Sequence, residues 1–283
     1  MKKHLSTILL VLVFLVGLCV LLYPAISDYW NSIVQSRAIV DYEAALQNLT
    51  QKDYSEYFQA ADAYNAAIRQ VAFPLMYYDR LDDREDLLPY EDILNVNGNG
   101  IMGYLSIDKI GVELPVYHTT SAAVLNVAVG HLEGTSLPAG GESTHCVLSA
   151  HRGLPSAKLF TDLDKLAIGD TFRLTVLDRV LTYEVDQILI VEPNEVDELY
   201  VKEGEDLCTL LTCTPYGINT HRLLVRGHRV ETVAEKPAIY VPADAYQIDS
   251  LIVTPLVAVP MLLLLLIYLM VKYRKRGDGP QNT

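Results

Sequence analysis

Both ends of this chain are strongly apolar, which leaves only the middle free to fold in water. Residues 5–23 contain no charged side chain, and at about 1.5 Å per residue a helix of that length reaches roughly 28 Å, close to the hydrocarbon thickness of a bilayer. Residues 251–271 have the same character. Lys2 and Lys3 precede the first stretch, and Lys272, Arg274, Lys275 and Arg276 follow the second. The positive-inside bias therefore predicts two transmembrane helices, with residues 1–4 and 272–283 in the cytoplasm and everything from 24 to 250 outside. The first apolar run is longer than a signal-peptide core and no Ala-X-Ala site follows it, so it reads as an uncleaved anchor in preference to a cleaved signal. Pro255 and Pro260 kink the second span without forbidding it.

Of 22 basic and 35 acidic residues, six basic and one acidic lie outside the stretch between the spans, which keeps 16 and 34, a net charge of −18. So acidic a surface argues against a nucleic-acid partner. Cys19 falls in the first span, leaving Cys146, Cys208 and Cys213 outside. An odd number in an exported domain implies at least one free thiol. Cys208 and Cys213 are five apart on one predicted strand and face opposite sides, so they are not expected to pair. Cys146, beside Val147 and Leu148, is expected as a buried free thiol, with a Cys146–Cys208 bridge the lesser alternative.

Residues 27–71 are polar with spaced apolar and aromatic positions, which fits one long or two shorter amphipathic helices. Residues 78–92 are acidic, contain Pro89 and show no clear period, so they read as a loop or short helix. From 101 onward short β-like runs recur, at 103–107, 112–117, 144–150, 171–176, 181–191, 207–212 and 223–230. Several strands with little helix between them predict a mainly β fold, a closed or nearly closed barrel; a parallel α/β sheet would need helical crossovers that these spacings do not allow. The domain plan is then 24–96 helical and loop, 97–232 barrel, and 233–250 linker. The run GNGIMG at 98–103 formally matches a dinucleotide fingerprint, but no helix follows it and it reads as a turn. The His and Cys spacings imply no zinc, and no cofactor is implied.

The run from Thr209 to Arg222 (TLLTCTPYGINTHR) places Cys213 at the end of a buried strand, a Pro and Gly turn after it, and Arg222 on the returning strand. This is the layout of a thiol nucleophile with a cationic helper. A cysteine nucleophile needs a proton acceptor and a group to stabilise charge on the attacked carbonyl. His151 is the most attractive base, because the strand 144–150 ends at Arg152 and Gly153 and leaves the imidazole beside a loop. His221 is the rival, yet it neighbours Arg222, and strand neighbours face opposite sides. Arg222 carries a permanent charge and several donors in a fixed fork, which suits an oxyanion.

With Thr-Leu-X-Thr-Cys before the turn and Arg222 after it, the segment resembles the active-site signature of sortases, the cysteine transpeptidases of Gram-positive cell surfaces, and looks most like class C, the pilin-polymerising branch. SAHRG at 149–153 resembles the family's catalytic histidine motif. GHLEGTSLP at 130–138 and LFTDLDK at 159–165 extend the resemblance over most of 97–230. It implies an eight-stranded sortase barrel preceded by helices, with Cys213 as nucleophile, His151 as general acid/base and Arg222 at the oxyanion. It further implies an LPXTG-like sorting signal as acyl donor, a pilin lysine as acceptor, and a membrane-anchored enzyme. A sortase that anchors surface proteins to cell-wall peptide is the alternative within the same chemistry, and an inert barrel serving as assembly scaffold is the alternative outside it. Many class C members carry an Asp-Pro-aromatic lid over the cysteine. No such tripeptide precedes the barrel here; 78–90 holds the lid position and is expected as a mobile or weakly held cover without a plug, with Leu88 or Tyr90 the first candidates should deletion show a true lid. With ordinary values of about 8.5 for Cys and 6.5 for His, a thiolate–imidazolium pair would be only about 1% as abundant as the neutral pair.

Overall fold

The computed structural model describes residues 2–71, 74–77, 81, 84–232 and 263. The chain divides into two units, residues 1–26 with 243–283, and residues 27–242. Helix α1 (Lys2–Leu46) carries Pro24 and includes, among the described residues, the one helix long and apolar enough to cross a membrane, with a window of mean hydropathy 2.2. Of the second predicted span only Leu263, which is helical, is described; the linker predicted from 233 lies outside the described residues.

Over 27–71 the described residues form two helices, the end of α1 and a second one, as one of the two sequence readings has it. The break comes at 47–50, where Thr50 caps α2 (Gln51–Ile68): its hydroxyl accepts from the Asp53 N–H, and the Asp53 carboxylate accepts from the Thr50 N–H. This reciprocal pairing satisfies two backbone donors that a helix start leaves without partners. Phe58, Ala61, Tyr64, Asn65 and Ile68 recur at helical spacing and form the buried face of α2. Asn65 spans the gap with two bonds to Leu137, accepting from its N–H at 2.7 Å and donating to its carbonyl at 3.4 Å. Tyr42 of α1 is wholly buried; its hydroxyl donates to Met102 O and accepts from Leu177 N–H, so the helix is pinned to two separate parts of the barrel.

The barrel has eight strands: β1 (Ile101–Ile107), β2 (Val112–Tyr117), β3 (Val129–His131), β4 (Thr144–Ser149), β5 (Thr171–Val176), β6 (Arg179–Val191), β7 (Asp206–Thr214) and β8 (His221–Val230). They close in the order β1-β2-β3-β4-β7-β8-β6-β5, with β1 paired to β5. Seven of the eight lie where the sequence predicts strands. The eighth, β3, has three residues, too few to show alternation. Two neighbouring pairs, β2 with β3 and β4 with β7, are parallel, and the remaining pairs are antiparallel. The β4–β7 pair needs no helical crossover, because β5 and β6 make up the connection. Within 98–103, residues 98–100 bend, with Gly98 and Gly100 at positive φ, and 101–103 already belong to β1.

Alternate residues of β4, β7 and β8 divide between two apolar regions. Cys146, Leu148, Phe172, Tyr183, Cys208, Leu210, Leu223 and Val225 belong to the interior core. The opposite face of β4, β7 and β8 supplies Val147, Leu211 and Leu224 to a smaller outer cluster, which Leu199 and Val196 from the β6–β7 connection cover. At roughly 1.5 to 3 kcal/mol per fully buried large apolar side chain, the interior core dominates stability, and the outer cluster holds the connection against the sheet.

Candidate active site

Cys213 and Arg222 sit directly opposite each other in the antiparallel β7–β8 register, so they share a face and their Cβ atoms start about 5 Å apart. Antiparallel pairing of this kind is why nine residues of sequence separation become one step across the sheet. On the other side of β7, the parallel β4–β7 register pairs each residue with the one 62 positions later, from Thr144 with Asp206 to Ser149 with Leu211. Two side-chain bonds carry that offset past the end of β4. Thr212 donates its hydroxyl hydrogen to Ala150 O at 2.7 Å, and Arg152 Nη1 donates to Thr214 Oγ1 at 3.2 Å. His151 lies between these ties and Cys213 lies between their partners. His151, Cys213 and Arg222 therefore form one row on the outer face, across β4, β7 and β8.

Arg152 is the residue that the sequence reading passed over. Its guanidinium reaches Thr161 O from Nε at 3.2 Å, Thr214 Oγ1 from Nη1, and the Asp164 carboxylate from Nη2, and its side chain is only 10% exposed. The loop that starts at His151 is closed by Phe160 N–H on His151 O and by Gly153 N–H on Thr161 Oγ1. Helix α1 backs it, with Asn31 donating to Ser156 O and Asp28 accepting from Lys158 N–H. Gly153 has φ +78°, and a Cβ there would lie 2.9 Å from the Tyr216 ring, so the glycine lets the β7–β8 turn close over the histidine loop. The signal available in sequence was adjacency to His151. The 62-residue offset that gives Arg152 its task exists only once the strands pair.

Cys213, His151 and Arg222 are all half-buried. Burial pushes the His151 imidazole down from its ordinary value, which favours the neutral base. Among the described residues no hydrogen bond joins His151 to Cys213. Arg222 donates twice from Nη1, to His221 O at 3.1 Å and Asn219 O at 3.3 Å. Its Nε and Nη2 edge carries no protein bond among the described residues. His221, the rival base, projects on the other face of β8; it is exposed and bonds Thr220 Oγ1 at 2.9 Å. Of the other four external histidines three are occupied within the fold, His118 by Gly100 O and Ile93 O, His131 by Tyr90 and Ser136 O, His145 by Tyr200 O and Thr209, and His228, towards the far end of β8 from Arg222, faces Asp186 at 4.0 Å. Among the described residues no group of three or more His, Cys, Asp or Glu is arranged to hold a metal ion.

Of the lid position 78–90, residues 78–80, 82 and 83 lie outside the described residues. Tyr90 is buried in the interior, its hydroxyl 2.8 Å from His131 Nδ1 and accepting from Thr119 N–H, with its ring against Tyr64 and His118. Leu88 is 55% exposed. Tyr90 is thus fixed in the interior, away from the row, and Leu88 stands largely in solvent. A residue just upstream does approach this face. Leu75, in the short helix α3 (Pro74–Tyr77), packs on the outer cluster of Val147, Leu199 and Leu224, one pleat along the strands from Cys213 and Arg222. Gly134 admits it: a Cβ there would stand 2.7 Å from Pro74 O.

Residues 105–230 match the family model described as Sortase domain. The solved sortase C1 of Streptococcus agalactiae is 47% identical, over 69% of this chain and 99% of that one, with a TM-score of 0.63. The chain belongs to the sortase family. Sortase C-1 of Streptococcus pneumoniae aligns with this sortase at 42% identity over 70% of it and 100% of the pneumococcal chain, with a TM-score of 0.60. Sortase D of Bacillus subtilis (strain 168) is 31% identical over 131 residues, 45% of this chain. The match spans 63% of that protein, less than two thirds of its length.

Proposed function

We propose that this sortase is a class C transpeptidase that joins pilin subunits, with Cys213 as nucleophile, His151 as general acid/base and Arg222 at the oxyanion. The observation that carries the reading is the single row of His151, Cys213 and Arg222 across three adjacent strands, with the Nε and Nη2 edge of the guanidinium free to donate. A sortase C1 comes from pilus island 1, and the Streptococcus pneumoniae sortase C is described with pilin substrate specificity. Those properties of relatives, with the apolar N-terminal helix, motivate pilin substrates and a membrane-anchored enzyme whose barrel lies outside the cell.

In this mechanism His151, held neutral by its partial burial, takes the Cys213 proton as sulfur attacks the threonine carbonyl of an LPXTG-like signal. Arg222 donates to the resulting oxyanion. His151 then returns the proton to the departing glycine amine, leaving an acyl thioester on Cys213. A pilin lysine attacks the thioester, its proton passes to His151, and the Cys213 sulfur leaves. The apolar outer cluster beside the row, with Leu211 and Leu224 on the sheet and Leu199 over it, suits the leucine and proline of such a signal.

The test mixes the purified full-length protein with candidate pilin subunits and examines a denaturing gel for a covalent ladder. Wild type is expected to produce one. Cys213→Ala is expected to abolish both the acyl-enzyme and the ladder, because Cys146 and Cys208 are buried on the other face of the sheet. A ladder formed by the Cys213 variant would defeat the mechanism. Acyl-enzyme with transfer only to a cell-wall peptide amine would assign the protein to anchoring.

A further inference from the structure

Two of the thiols take no part in that chemistry. Cys146 on β4 and Cys208 on β7 are direct partners in the parallel register, 2% and 0% exposed, and both face the interior core. Cys208 and His131 are the neighbours that act on the Cys146 thiol. His131 is itself held by the Tyr90 hydroxyl at Nδ1 (2.8 Å) and by Ser136 O and Thr135 Oγ1 at Nε2 (2.9 and 3.1 Å). Directly opposed residues on adjacent strands have Cα atoms about 5 Å apart, inside the range of roughly 4.4 to 6.8 Å that a disulfide spans. The two cysteines stand as free thiols, with Cys213 on the opposite face of β7.

We propose that Cys146 and Cys208 are a redox pair that closes to a cross-strand disulfide when the protein meets a disulfide oxidant outside the cell. Burial pushes the Cys146 thiol up, but the hydrogen bonds from Cys208 and His131 outweigh it and bring Cys146 below its ordinary value; burial and the shared hydrogen bond push Cys208 up. These shifts belong to the paired strands; once β4 and β7 part, either cysteine can attack first, here Cys146. Its sulfur displaces one thiolate from a small or protein disulfide and becomes a mixed disulfide. Cys208 loses its proton and displaces the second thiolate, so two protein thiols and one oxidant disulfide become one protein disulfide and two oxidant thiols. Because the pair is buried, the first exchange takes place while β4 and β7 are apart, in the folding chain or during transient opening.

The consequence reaches the row above. β4 carries the loop of His151 and β7 carries Cys213, so the bond locks the register that sets the spacing of the two. The inference does not depend on the role assigned to Cys213, and its test removes that residue.

The full-length protein with Cys19→Ser and Cys213→Ala retains only the pair. It is opened in moderate urea with oxidised glutathione, diluted to refold, then quenched with acid, denatured and treated with N-ethylmaleimide for mass spectrometry. The expected product is lighter by two hydrogen atoms, takes up no maleimide, and yields one peptide linking 146 to 208. Dithiothreitol restores two reactive thiols. Closing a loop of about 62 residues is expected to raise the thermal midpoint on the order of 10 °C, and Cys208→Ser removes that gain. Two maleimides per oxidised chain, or glutathione adducts without a linked peptide, would overturn the proposal. The mass measurement on the parent decides the matter even if the serine variant does not fold.

Discussion

Replacing Arg152 by methionine keeps the hydrocarbon stem and deletes the guanidinium that ties the histidine loop to the cysteine strand. Three acceptors lose their donor. The Asp164 carboxylate is 48% exposed, so its pair contributes less than about 1 kcal/mol after solvent screening. Thr161 O and Thr214 Oγ1 accept from a charged donor in a partly buried setting, where each bond contributes about 1.5 kcal/mol. The sum is a loss of about 3 kcal/mol, or on the order of 10 °C in thermal midpoint for a domain of this size. Thr212 on Ala150 O remains, so the fold survives while the loop above that tie gains freedom on the scale of 1 Å. Displacement of that size costs up to about a hundredfold in rate. Single-turnover acylation of Cys213 by a sorting-signal peptide, measured well below the new midpoint, should fall by at least about tenfold with little change in peptide affinity. Arg152→Lys keeps charge and one of the contacts and should recover part of the rate, whereas Asp164→Asn should stay within about threefold of wild type. A variant that loses stability but acylates at the wild-type rate would show that Arg152 holds the fold without placing the histidine.

Arg222→Lys preserves charge but not the planar fork, and acylation should fall at least about tenfold; near-normal turnover by the folded variant would make Arg222 a surface cation. Burial lowers His151, and a base works only when neutral, so the acid limb of kcat/KM should lie below the ordinary histidine value of about 6.5. A limb at or above that value would contradict the assignment. Burial, with Arg226 and Lys202 nearby, pushes His145 down to about 4. Between pH 6.5 and about 4 the unfolded chain takes up a proton at this residue that the folded chain refuses, so its contribution to stability is full above about 6.5 and is lost as pH falls towards 4. At 1.36 kcal/mol per unit the loss is about 3 kcal/mol. Urea melts across that range should show it, and His145→Asn should flatten the difference.

Local chemistry was sufficient for a good part of the molecule. The apolar stretch 5–23 and its flanking lysines predict the N-terminal membrane helix, and short alternating runs bounded by turn residues predict seven strands, because both signals are carried by neighbours in sequence. Cys213 and Arg222 could be paired from the chain alone, since a hairpin converts a local turn into a cross-strand contact. His151 was legible as a histidine at a strand end, and as a motif through resemblance. What the sequence left open depends on contacts between distant segments. The parallel β4–β7 register, with its constant offset of 62, sets His151 beside Cys213, makes Arg152 a clamp through Thr214, and brings Cys146 against Cys208. Strand β3 is too short to signal itself and is held by its neighbours on both sides. Nothing local announces that Tyr90 is an interior residue, yet its hydroxyl finds His131 and Thr119 there, partners 41 and 29 residues away. Composition and periodicity determine which segments become strands and helices; which of their side chains meet is decided by barrel closure, because only closure removes water from those faces and makes an unpaired polar group there costly.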